Sequence, residues 1–337
     1  MNDELINASI YLDQNILSDL RARKLEESND ENLILLKKVL LSFNIQVVYS
    51  HITLVEINQI TSDKYKLEHI DVLEELNAKY IEPKSKKISD KKPSQVWINY
   101  IENIDSEDDI LDTKSLALIF ENLSRKLSGL PIESSLEEIG LSLEDSMKNI
   151  SQICIEQLNI INENDFEEPF KSIIMQMKEQ IPILLKSPQK FDIFSKFDNQ
   201  PLGPKPFREY TPIKRLNISE LPSSIVVSAI ESVYNHDNTF NWRASFDDSI
   251  ENRITMAYSL MNWAGYYPDD FDKIKKNHDR YRASNNDMQH AAIASRTTFL
   301  ISNDNAFCMK AIASYEYAGV DTIVCSLYDF LEKYCTE

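Results

Sequence analysis

Four acidic residues stand where their chemistry could be used together: Asp13, Glu56, Asp287 and Asp304. Asp13 closes the apolar run ASIYLD (8–13), and Asp304 follows FLIS (299–302) by two positions. Each run suits a buried strand, and in open parallel sheets ligands lie beyond the carboxyl ends of the strands. Glu56 falls on the second turn of a helix that Ser50 can cap. Asp287 falls in the first turn of a helix read over SNNDMQHAAIASRT (284–297), with Ser284 and Asn285 as cap residues. So placed, the four carboxylates converge on one edge of a sheet. Such a cluster repels itself unless cations bind it, and hard oxygen ligands select Mg²⁺ or Mn²⁺. Ions held this way activate water and stabilise both oxygens of an in-line phosphoryl displacement. Plainer roles exist for each acid: a turn residue for Asp13 or Asp304, a solvated helix position for Glu56, a helix-dipole partner for Asp287. Asn15 and Asn303 are expected to orient waters or acids. His290 reads as a packed helix residue rather than a ligand.

The elements that must position these groups follow from periodicity. Strands are expected at 8–13, at IQVVY (45–49), at KYIEP (79–83), at FLIS and at DTIVCS (321–326). Helices are expected between them, over 31–43, after Ser50, over 69–78, 249–264, 284–297 and 308–319, with Gly319 as the residue ending the last of these, and over LYDFLEKY. This alternation implies an α/β fold with a parallel sheet. Residues 84–245 differ: helical spacing dominates, no buried strand pattern is visible, and QPLGPKPFREYTPIKRL (200–216) reads as a loop or linker. The expected organisation is a core of 1–83 and 246–337 interrupted by a mostly helical insertion at 84–245.

Composition narrows the class. The chain has 337 residues, 42% of them hydrophobic, so a sizeable core can form. Five glycines leave little scope for a Gly-rich phosphate cradle, and four scattered cysteines offer no C-x-x-C pair for zinc. A reducing, cytoplasmic setting is expected. MNDELINASIYLDQN lacks the basic and long apolar regions of a signal peptide. No apolar stretch approaches the ~20 residues of a membrane span, so no membrane partner is expected. A net charge of −18 counts against nucleic-acid binding, although a groove can be locally basic and metal-holding carboxylates are part of that count.

The segments IYLDQNIL, YSHITLVEI, NDMQHAAIAS and FLISNDNAF, in this order, resemble those of the PIN-like nuclease family: a first strand ending in Asp, a strand–helix junction with a central Glu, a helix with Asp followed by His-Ala-Ala, and a strand leading to polar–Asp–x–x–Phe. The resemblance covers 1–83 and 246–337. It implies a three-layer α/β/α core with a parallel sheet, Mg²⁺ or Mn²⁺ as cofactor, Asp13, Glu56, Asp287 and Asp304 as metal-holding catalytic residues, and commonly RNA cleavage. The compact members of that family lack an insertion like 84–245, which leaves substrate and regulation open.

Two basic stretches interrupt the acidic sequence: KSKKISDKK (84–92) and KIKKNHDRYR (273–282). Lys276, Arg280 and Arg282 are candidate phosphate contacts, with Tyr281 able to stack a base and Lys310 a further contact; a solvated loop is the plain alternative. Trp97, Trp242 and Trp263 read as core or interface residues. The leading functional expectation is an endonuclease acting on RNA rather than DNA, in a toxin or phage-defence module, with a regulatory protein or a second copy of the chain as partner. Two other readings stand beside it. One is a PIN-like regulatory protein without activity. The other is a phosphotransferase using Asp13, which Asn15 disfavours because a D-x-D pair would be wanted there.

Overall fold

Apolar residues at successive positions of short strands demand cover on both faces, and the computed structural model supplies it. It describes residues 5–335 except 43–44, 84, 106–112, 128–129, 131, 187–202, 238–247 and 271–277. The chain divides into two units, Met1–Asp105 with Phe207–Glu337, and Ser106–Pro206.

The first unit contains the sheet. Its strands are β1 (Ser9–Leu12), β2 (Gln46–Ser50), β3 (Lys79–Ile81), β4 (Ile88–Ser89), β5 (Phe299–Ile301) and β6 (Ile323–Cys325), in the order β4-β3-β2-β1-β5-β6. All neighbours are parallel except β3 and β4. Register pairs Tyr11 with Val48 on one side and Leu300 on the other. From β1 the chain builds outward through β2 and β3, then returns to the opposite side of β1 with β5 and β6. The strand order thus reverses between β1 and β5, and such a switch point opens a crevice at the carboxyl ends of the two strands. The expected parallel α/β sheet is therefore present. A two-residue antiparallel edge strand at 88–89 was not expected, because lysines flanking Ile88 hide its pattern.

Helices of this unit begin with α1 (Gln14–Asp19), α2 (Ala22–Ser28), α3 (Glu31–Ser42), α4 (His51–Gln59), α5 (Asp63–Glu75) and α6 (Pro93–Asp105). Alternate strand residues serve opposite cores. Ile10, Leu12, Val47, Tyr49, Phe299 and Ile301 pack with Leu36 and Val39 of α3 and Leu73 of α5. Tyr11, Val48 and Leu300 face the other way, where Ala291, Ala311 and Tyr315 lie close. Small residues there let helices approach the sheet closely, which positions the site described below.

In the second unit α7 (Thr113–Leu127), α8 (Leu136–Ile160) and α9 (Phe170–Lys186) pack α7 on α8 and α8 on α9. Ser135 and Glu138 form a reciprocal capping box at the start of α8, two orphan amides satisfied at once. The chain continues through α10 (Pro204–Glu209), α11 (Thr211–Lys214) and α12 (Ser223–Asp237). The expected boundaries at 84 and 245 differ from this division. Among the described residues, 85–105 and 207–237 belong with the sheet-bearing unit, where α6 packs on α5 and β3. Among the described residues the later helices are α13 (Ile250–Ala264), α14 (His278–Ala294), α15 (Asn305–Ala318) and α16 (Leu327–Tyr334). Among the described residues no helix is long and apolar enough to cross a membrane.

Candidate functional site

The site is built first from the two strands at the switch point. Asp13 follows β1 directly and caps α1: its Oδ1 accepts from the Gln14 amide at 2.7 Å. Its Oδ2 accepts from the Asn15 side-chain amide and from the Ser302 hydroxyl, each at 2.6 Å. Burial nevertheless pushes the Asp13 carboxyl above its ordinary range; His290 and Ser302 pull it down and Glu56 pushes it up. Ser302, at the end of β5, also accepts from the Asp304 amide at 3.1 Å, so one buried hydroxyl ties the two acids together. Asp304 caps α15, accepting from the Phe307 amide at 2.9 Å, and is exposed. Both residues thus cap helices as well as standing at strand ends, so the turn role and the site role coexist.

Glu56 lies on α4, which Ser50 caps as expected, with Thr53 completing a capping box. Its two carboxylate oxygens are held from α14: Oε1 accepts from Asn286 at 3.2 Å and Oε2 lies 3.0 Å from His290 Nε2. The other imidazole nitrogen, Nδ1, lies 2.6 Å from the Tyr11 hydroxyl. That hydroxyl contacts Ser50 Oγ at 2.8 Å and Thr53 Oγ1 at 3.3 Å. Tyr11, Ser50, Thr53 and His290 are all essentially inaccessible to solvent. His290 is thus packed, as expected, but every polar atom of its ring is engaged.

Asp287 sits on the same helix. The helix starts at His278 rather than near Ser284, so Asp287 lies in its third turn and not the first. A helix-dipole role is thereby removed, since that effect fades beyond the first turn. The basic, polar composition of 273–282 hid the earlier start. Asp287 is half-buried as a residue, yet its carboxyl is crowded enough that burial pushes it well above its ordinary value. Asp13, Asp269 and Glu56 push in the same direction, and Lys310 opposes them.

Asp269 and Lys310 form the remaining wall. Lys310 Nζ contacts Asp269 Oδ1 at 2.6 Å and stands 4.6 Å from the Tyr258 ring centroid. Asp269 Oδ2 accepts from Asn262 at 2.8 Å and from Ser284. Tyr258 feels the charges of Asp287, Asp269, Asp304 and Asp13, and burial keeps its phenol protonated far into the alkaline range. Sequence reasoning missed Asp269: in YYPDDFD it looks like one of several solvated loop acids, and its cation is 41 residues away.

The four sequence-expected acids therefore share one region, at the carboxyl edge of β1 and β5. Among the described residues no group of three or more His, Cys, Asp or Glu is arranged to hold a metal ion. The donor set still fits a hard cation that keeps much of its water: Mg²⁺ usually takes one or two carboxylates, waters and substrate oxygens rather than an all-protein cage. Two buried polar atoms beside the acids, Asn15 Oδ1 and the Tyr258 hydroxyl, have no hydrogen-bond partner among the described residues, as groups facing ion-bound water would.

The other expected contacts fare differently. Lys310 is fully buried against Asp269 and Tyr258, so its ammonium faces protein and not a phosphate track. Tyr281 is buried and offers no ring to a base. Arg282 is exposed. Lys276, the Arg280 side chain and Trp242 lie outside the described residues. Asn303 is exposed and accepts from the Leu327 amide at 3.2 Å, supporting the start of α16 rather than an acid. Trp263 is buried and Trp97 half-buried against the cores. Comparison with protein-family models, with curated proteins and with solved structures finds no match to this chain.

Proposed function

We propose that this protein is a metal-dependent endonuclease of the PIN-like class, cutting RNA in preference to DNA and serving in a toxin or phage-defence module. The observation carrying the reading is the meeting of Asp13, Glu56 and Asp287 in one electrostatic neighbourhood at the sheet's switch point. Mg²⁺ or Mn²⁺, when bound there, would supply an activated water and neutralise charge on the scissile phosphate. Asp13, Glu56, Asp287 and Asp304 would hold it. Asn15 and Ser302 fix the Asp13 carboxylate, leaving Oδ1 with room for a further partner beyond the Gln14 amide. Asn286 and His290 fix Glu56. A non-catalytic regulatory role is the competing reading, favoured by the lack of a ready three-ligand group among the described residues.

Incubation with labelled RNA and DNA in Mg²⁺, Mn²⁺ and EDTA separates the two. Cleavage is expected with either ion and none with EDTA. Asp13→Asn and Asp304→Asn should each lower the rate by on the order of 100-fold or more, the scale of losing several kcal/mol of transition-state stabilisation. Asn still caps helices well, so both variants should fold. Unchanged rate per folded molecule together with a lower melting temperature would make these acids structural and overturn the assignment.

A further inference from the structure

The inference concerns the chain of buried polar groups behind Glu56, and it rests on the reading of Glu56 as a cation-holding carboxylate. Four solvent-free side chains from three elements lie in contact: Ser50 and Thr53 at the start of α4, Tyr11 on β1 and His290 on α14. Apolar residues surround them, including Val48, Ala291 and Leu300. Desolvating so many polar groups is costly unless each is paired, and here each is.

The pairing has a direction. Thr53 Oγ1 accepts from the Ser50 amide and Ser50 Oγ accepts from the Ile52 amide. Both hydroxyl protons are then free to point at the Tyr11 oxygen. The Tyr11 oxygen, accepting from both, then has its own proton to give to His290 Nδ1, 2.6 Å away. An Nδ1 that accepts from Tyr11 leaves the ring proton on Nε2, aimed at Glu56 Oε2 at 3.0 Å. Glu56 Oε2 is thereby fixed in orientation, while its side chain, 16% exposed, still reaches the site.

We propose that Tyr11 and His290 are positioning residues: they form a directed hydrogen-bond relay that sets the Glu56 carboxylate for cation binding. Groups that orient a ligand in this way typically alter metal affinity by about 10–100-fold when removed. A role in folding alone predicts no such change in the folded protein.

The experiment measures Mn²⁺ binding to the full chain by electron paramagnetic resonance, without nucleic acid. The variants are Tyr11→Phe, His290→Gln, Glu56→Gln and the double variant Tyr11→Phe/Glu56→Gln, each checked for native circular dichroism. Tyr11→Phe should weaken Mn²⁺ by about tenfold and His290→Gln by at least as much. Tyr11→Phe should add nothing once Glu56 is Gln, because the relay acts only through that carboxylate. Nitrogen NMR should show the His290 ring protonated at Nε2 in the wild type, with that preference lost in Tyr11→Phe. Wild-type affinity in folded Tyr11→Phe and His290→Gln overturns the relay and leaves the nuclease reading standing. Wild-type protein without Mn²⁺ binding, or binding indifferent to Glu56→Gln, overturns the metal reading and the relay with it. Should Tyr11→Phe not fold, His290→Gln decides by the same two readouts.

Discussion

Lys310→Met tests whether the acidic site is held together by one internal cation. The Lys310 side chain is 1% exposed and that of Asp269 17%, with 2.6 Å between their charged atoms. Removing one member of a buried pair costs about 3–5 kcal/mol, because the other charge stays behind without compensation. The low end applies here, since Asn262 and Ser284 still donate to Asp269. Loss of the contact with the Tyr258 ring adds about 0.5–2 kcal/mol, so about 4 kcal/mol is expected in total. For a unit of this size each kcal/mol lowers Tm by about 2–4 °C, giving a fall of about 8–16 °C. Calorimetry in EDTA is the assay, resolving the transition of the sheet-bearing unit from that of residues 106–206. Lys310→Met/Asp269→Asn should recover most of the loss, because it leaves no unpaired charge at that position. Mn²⁺ should raise the Tm of Lys310→Met more than that of the wild type, by replacing the missing positive charge. A loss under about 1 kcal/mol, or a double variant no better than the single one, would refute the argument that a buried charge is at stake.

Two further outcomes follow from the same geometry. Asp287 has a folded-state value raised by burial, so the folded protein binds its proton more tightly than the unfolded chain. Stability in EDTA should therefore fall as pH rises from the unfolded carboxylate value, about 3.9, through the raised folded value. Asp287→Asn removes that loss: its Tm should exceed that of the wild type near neutral pH and match it in acid, and a pH-independent difference would contradict this. On the nuclease reading, Arg282, exposed on α14, should contact phosphate, so Arg282→Gln should weaken RNA binding uniformly across sequences. It should also reduce the slope of log affinity against log salt by about one, and an unchanged slope would remove Arg282 from the track.

What could be read from the sequence was what lies in short windows. Asp13 and Asp304 were visible because an apolar run stops at an acid, and Ser50 and Gly319 because caps act on the adjacent turn. The strands at 9–12, 46–50 and 299–301 appear within one residue of expectation at either end. What was hidden depends on partners far away in the chain. Lys310 looked like a surface cation until Asp269 and Tyr258 closed over it, and Asp269 looked like a solvated loop acid for the same reason. Tyr11 read as one more core residue of β1, and its partner His290 is 279 positions away. The helical spacing of α6 was legible, but not that α6 packs on α5 and so belongs with the sheet.

The buried relay also bears on why the sheet is built as it is. Along β1, Ile10 and Leu12 serve one apolar core and Tyr11 the other, and Asp13 follows at once. One strand thus delivers an acid to the site and the phenol that steadies a second acid on α4. Apolar residues of similar volume at Tyr11 and His290 would often leave a protein as stable or make it more so, because buried polar networks gain little over good packing. Selection for stability alone would therefore give little reason to keep this one. Its completeness, from Ser50 and Thr53 through Tyr11 and His290 to Glu56, is what a demand for one fixed carboxylate orientation would require. That demand makes sense at a site where acids must hold still beside one another.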